Sequence, residues 1–192
     1  MIIFRIKYAG IFCGEKDLHL ANVVLIGMPG CGKSTVGVLL AKALGMHFVD
    51  TDVVFQAREG KKLQRIIEEI GIDDFLKREE EAILGFTWDK TVIATGGSVV
   101  YGKRAMEHLH DNGLVIYIRL PYAEIERRLS NLATRGVTLR KGQSLYDLYL
   151  ERIPLYEKEA DIVFDAAGCE IEKTVASIVR RIEAVNGESY VG

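Results

Sequence analysis

Cysteine is scarce in this chain, and positive charge has no excess over negative. The three cysteines among 192 residues, Cys13, Cys31 and Cys169, are odd in number, widely spaced and without a C-x-x-C pair. That excludes a disulfide framework and a cysteine zinc site, and a reducing cytoplasm is the expected setting. Lysine and arginine total 25 against 27 acidic residues, a formal charge of -2, so neither nucleic acid nor a membrane surface is an expected partner. Long apolar runs are missing as well. The opening MIIFRIKYAGIFC is broken by Arg5 and Lys7, short of the roughly 20 apolar residues that a span takes, and a signal peptide is not expected. His108 and His110 have no third ligand at metal spacing and are read as a solvated pair.

What the chain does have is alternation. Apolar β-branched runs, NVVLIG, HFVD, TVIATGG, LVIYIRL and DIVFD, are separated by helical periodicity over 32–44, 52–84, 103–110, 122–132, 144–158 and 171–185. Strands apolar on both faces and joined by helices predict a doubly wound α/β domain with a five-stranded parallel sheet, flanked by helices in three layers. Residues 22–192 are expected to form this single domain. Residues 1–21 precede it as an arm of no assigned role.

The first turn of that domain carries the chemistry. Gly27, Gly32, Lys33 and Ser34 satisfy G-x-x-x-x-G-K-[ST], placed between an apolar strand and an amphipathic helix, the setting of a phosphate-binding P-loop. Side chains at Gly30 and Gly32 would obstruct backbone N–H groups converging on phosphate oxygens. Lys33 is expected to reach the β- and γ-phosphates, and the Ser34 hydroxyl to meet Mg²⁺, with Thr35 following in the same helical turn. The ligand expected is ATP. Cys31, inside the loop, is read as an alkylation-sensitive thiol that MgATP protects.

The guanine-reading N-K-x-D pattern is absent, so other residues must say what the nucleotide is for. Asp50 and Asp52 in FVDTD close the second strand at the sheet edge that the P-loop occupies, where Asp50 would contact the metal or its waters and Asp52 an acceptor hydroxyl. A second role open to Asp52 is the N-cap of the next helix. Gly96 and Gly97 end the TVIATGG strand at the same edge and would let a ligand approach the backbone.

GMPGCGKSTVG, FVDTD, VIATGG and ERIPLY, in this order and spacing, resemble the shikimate kinase family of small P-loop kinases, of nucleoside-monophosphate-kinase type. The resemblance implies a P-loop NTPase fold with a mobile lid at about 133–142, ATP and Mg²⁺ as cofactors, and transfer of phosphate to a hydroxyl of shikimate. It implies Lys33, Asp50 and Arg140 as catalytic, with Ser34 and Asp50 at the metal and Arg140 closing over the phosphates. Arg135 is assigned to adenine stacking and Arg152 of ERIPLY to the substrate carboxylate, beside Asp52, Gly96 and Gly97. A monomer is the expected state. Which aspartate takes the hydroxyl proton is left open.

Two positions depart from the family pattern. In DDFLKREEE, Phe75 and Glu79 match Phe-Arg-x-x-Glu, but Leu76 stands where a second carboxylate-gripping arginine is expected, and Ser98 replaces the last of three glycines. Both departures fall on the acceptor side. They leave open a related kinase acting on another polyol or hydroxy acid, and a nucleotide-binding module without catalysis.

Overall fold

The computed structural model describes residues 22–130 and 137–188. The arm 1–21 and Arg135 lie outside them. The chain runs β1 (Asn22–Ile26), α1 (Lys33–Leu44), β2 (His47–Asp50), α2 (Thr51–Glu59), α3 (Leu63–Ile70), α4 (Ile72–Leu84), β3 (Thr91–Ala94), α5 (Lys103–Asp111), β4 (Leu114–Arg119), α6 (Tyr122–Ser130), α7 (Leu145–Glu159), β5 (Ile162–Asp165) and α8 (Ile171–Glu188).

All pairings are parallel, in the order β2-β3-β1-β4-β5. The expected five-stranded parallel sheet is therefore the one observed. β1 at its centre is buried along its whole length, as a strand covered by helices on both faces must be. Its side chains pack with those of β3 and β4, and α1 and α8 pack against one another.

Register sets up the site. Ala94 lies level with Leu25 on one side and Asp50 on the other. The turn after β1, the end of β2 and the loop after β3 therefore emerge together at the carboxyl edge, where β3 and β4 flank the central strand and the strand order reverses.

The helical periodicity over 52–84 resolves into three helices separated at Gly60 and Gly71. They close over an apolar cluster of their own, Phe55, Ile66, Phe75 and Ala82, with Phe55 and Phe75 edge to face at 5.6 Å. No helix among the described residues is long and apolar enough to cross a membrane.

Candidate active site

The loop after β1 turns back through two glycines with left-handed backbone, Gly30 at φ +79° and Gly32 at φ +104°, values that L side chains adopt only at a cost. Gly32 is the N-cap of α1 and brings no side chain to it. The first N–H groups and the positive end of the helix dipole therefore face the loop's hollow. Lys33 is 7% exposed and folds back along the loop, its Nζ donating to the carbonyls of Gly27 at 2.8 Å and Met28 at 3.0 Å.

Ser34, one residue on, donates its hydroxyl to Asp50 Oδ2 at 2.6 Å. The other oxygen, Oδ1, accepts from the backbone N–H of Asp52 at 3.0 Å and of Val53 at 3.4 Å. The N-cap of α2 is thus Asp50 rather than Asp52, because the extended strand end, not the first helical turn, has the backbone geometry for capping. Two hard oxygen ligands standing side by side at the mouth of a phosphate loop fit Mg²⁺, which binds through few protein groups and keeps phosphate and water for the rest. Among the described residues no cluster of three or more His, Cys, Asp or Glu offers a denser metal cage.

Opposite this edge stands a helix face. Arg152 and Tyr156 are four residues apart on α7 and so share one side of it. Both are fully buried, Arg152 at 1% exposure. An arginine that composition alone would place at the surface is instead aimed at the loop after β3. Tyr156 donates its hydroxyl to the Gly97 carbonyl at 2.6 Å. Arg152 donates through Nε to the Tyr101 hydroxyl at 3.2 Å and through Nη2 to Thr138 Oγ1 at 2.5 Å.

The two glycines of the β3 loop are required by protein neighbours before any ligand arrives. A Cβ on Gly97 would stand 2.7 Å from the Pro29 ring and 3.1 Å from Arg152 Nη1. One on Gly96 would meet Asp52 Oδ1 at 2.7 Å and collide with Glu79 Oε1. Two carboxylates therefore converge beside Gly96. Burial, and then the charge of Asp52, pushes the Glu79 carboxyl up to about 7, against the pull of the Ser98 hydrogen bond and the Arg152 charge. Ser98 donates to Glu79 Oε2 at 2.7 Å, so the serine in place of a third glycine has a definite partner.

Lys33, Ser34, Thr35, Asp50, Asp52, Gly97 and Arg152 open onto a single cavity of about 280 Å³. Gly30 and Gly32 border it too, while Gly96 lies behind Asp52 and Glu79.

Arg140 is not brought there. Its side chain is 64% exposed, with Nη2 at 3.6 Å from Asp73. The cause is local: Arg140 opens a surface turn, its carbonyl accepting from the Gln143 N–H and its own N–H donating to the Gln143 side chain. Leu76 joins the small apolar cluster under α2–α4 and does not line the cavity. Cys31 is 3% exposed, its sulfur turned under the loop toward Gly27, which removes the access that an alkylating reagent needs.

Sequence reasoning missed Thr138, Tyr101 and Tyr156. Tyr156 had a signal, its four-residue spacing from Arg152 in ERIPLY. Thr138 had none, since it lies in an irregular segment whose path only tertiary contacts determine.

The shikimate kinase family model matches residues 29–183. A shikimate kinase of Thiobacillus denitrificans is 37% identical over 172 residues, which cover 88% of this chain and 93% of the relative. Among solved structures, shikimate kinase from Acinetobacter baumannii in complex with shikimate superposes with a TM-score of 0.80 at 29% identity, covering 86% of this chain and 94% of that one. Shikimate kinase from Aquifex aeolicus gives a TM-score of 0.72 at 30% identity, covering 89% and 99%.

Proposed function

This chain belongs to the shikimate kinase family, and from that premise we propose that it transfers the γ-phosphoryl group of ATP to a hydroxyl of shikimate, releasing ADP and shikimate 3-phosphate. One observation carries the reading: the phosphate loop with Lys33, Asp52 and the buried Arg152 all face one cavity.

Lys33 brings a positive charge to the transferring phosphate, where stabilisation of developing charge outweighs covalent chemistry. Ser34 and Asp50 would hold Mg²⁺, which when bound neutralises phosphate charge. Asp50 is turned toward Ser34 and the cap of α2, on the metal side, and orientation of the acceptor hydroxyl, with receipt of its proton late in the transfer, is assigned to Asp52, which lines the cavity beside the β3 loop. Gly97 lets the acceptor lie against backbone, while Gly96 makes room for Asp52 and Glu79 behind it. Arg152 grips the acceptor carboxylate through a planar guanidinium whose burial rules out competition from bulk water.

Segment 133–142 is proposed to close over bound nucleotide, Arg140 leaving Asp73 for the phosphates and Arg135 stacking on adenine. Every group named belongs to one chain, so a monomer suffices. The free Cys31 and Cys169 suit a reducing cytoplasm.

Release of ADP with shikimate, and with a panel of polyols and hydroxy acids, tests the assignment. Shikimate is expected to be the preferred acceptor. The Lys33→Met protein is expected to fold and to lose more than nine-tenths of its turnover. Preference for another acceptor, or a lysine variant that keeps more than a tenth of the rate, would overturn it.

A further inference from the structure

The Thr138 side chain is 6% exposed and lines the same cavity as Arg152 and the phosphate loop. It is held there by a tight turn in which the Leu139 N–H bonds the Val137 carbonyl at 2.9 Å, a γ-turn that projects its central residue. Leu139, next in line, is 40% exposed, so the segment presents one polar group inward and returns to the surface.

The Thr138–Arg152 hydrogen bond is directional. A guanidinium has five donors and no lone pair, so in the 2.5 Å contact Thr138 Oγ1 accepts and its own proton points away from Arg152. Among the described residues no protein group accepts that proton. A buried hydroxyl needs an acceptor for its proton, and this one lines the cavity next to a buried cation.

We propose that Thr138 is a specificity-determining residue that completes, with Arg152, the subsite for the acceptor's carboxylate: the guanidinium and the threonine hydroxyl each donate to the anion. The proposal rests on the reading of Arg152 as the carboxylate grip and deepens it. It also accounts for Leu76. As a leucine that residue packs on the apolar cluster of α2–α4 and has no donor to offer, so in this chain a second donor has to come from elsewhere, and Thr138, bonded to Arg152 and lining the cavity, is placed to supply it. A hydroxyl is a fitting second donor. Beside one fully buried cation it adds a hydrogen bond without a second charge to desolvate.

The test uses Thr138→Val, which keeps the β-branched shape and removes only the hydroxyl, with Thr138→Ser as the conservative variant. In Thr138→Val the KM for shikimate is expected to rise about tenfold, the equivalent of one hydrogen bond to a charged group, while kcat falls by less than threefold. Thr138→Ser is expected to stay within threefold of wild type. The discriminating measurement is the inhibition constant of shikimate methyl ester, which has the same ring and hydroxyls but no carboxylate charge. Thr138→Val should leave it within twofold of wild type.

If the threonine only held the 137–142 segment in place, ester and acid would weaken together, and that result would overturn the proposal. So would an unchanged or lower KM for shikimate in Thr138→Val. Arg152→Lys separates the two levels of inference. An unchanged KM in that variant would sink the carboxylate grip itself, whereas a raised KM there with a wild-type Thr138→Val would sink the role of Thr138 alone.

Discussion

Ser34 and Asp50 are joined by a 2.6 Å hydrogen bond between the first turn of the P-loop helix and the end of the neighbouring strand. The same carboxylate caps α2 through its other oxygen. One side chain therefore ties the start of α1 to the end of β2 and caps the helix that follows.

Those two duties can be separated by mutation. Asparagine caps a helix about as well as aspartate, whereas alanine does not. Asp50→Asn is expected to change stability by less than about 0.5 kcal/mol, and Asp50→Ala to cost about 1 kcal/mol. Both should lower kcat at least a hundredfold through loss of a hard anionic ligand. Urea unfolding beside steady-state rates checks this, and an Asp50→Asn protein with a third of the wild-type kcat would refute the metal-side role.

Glu79 makes folding stability depend on pH. Its carboxyl ionises near its ordinary 4.5 in the unfolded chain and near about 7 when folded. Between those values the native state holds a proton that the unfolded state has released. Stability from this group is fully present below about pH 4.5 and is lost as pH rises through 7, a difference of about 3 kcal/mol by linkage. Glu79→Gln should flatten that dependence and be the more stable protein at pH 8. Unfolding curves at pH 5 and pH 8 give the comparison, and parallel wild-type and variant profiles would contradict it.

Leu76 offers a gain of function. Position 76 lies one helical turn before Glu79, within reach of it on α4, so an arginine there has a buried carboxylate to lean on. Leu76→Arg is expected to lower the KM for shikimate about tenfold, with kcat changing less, as for an interaction present in ground and transition states alike. Loss of packing in the Phe55–Phe75 cluster should cost about 1–2 kcal/mol of stability. Kinetics at fixed ATP would decide, an unimproved KM showing that leucine replaces no substrate contact.

The buried sulfur of Cys31 predicts an order of labelling. Iodoacetamide should modify the exposed Cys169 before Cys31, which reacts only at the rate at which the loop opens. Peptide mapping over time measures this. Modification of Cys31 as fast as Cys169 would mean that the loop is open in solution.

Much of the donor side was legible in the chain, because it is local. A glycine-rich turn between a β-branched strand and a helix needs only neighbours in sequence to form, and Lys33 and Ser34 occupy places that the helix start dictates. The β2 carboxylates were legible for a related reason: in a parallel sheet every strand ends at the same edge. Their division of labour was not, since whether Asp50 or Asp52 caps α2 depends on where the extended backbone gives way to helix, a boundary that pattern leaves uncertain by a residue or two.

The sequence by itself determined the alternating α/β architecture, the phosphate loop, and which residue types stand at the ends of strands, all from periodicity and spacings of a few residues. Only the tertiary structure decided that Arg152 is buried, that Thr138 meets it, that Leu76 turns to an apolar cluster, that Arg140 lies on Asp73, and that Gly96 and Gly97 are glycines because side chains crowd them. Those facts join residues far apart in the chain, such as Thr138 to Arg152 and Glu79 to Ser98. Contacts of that kind form only when helices and loops pack across the sheet edge, and their geometry is set by close packing rather than by any period in the chain.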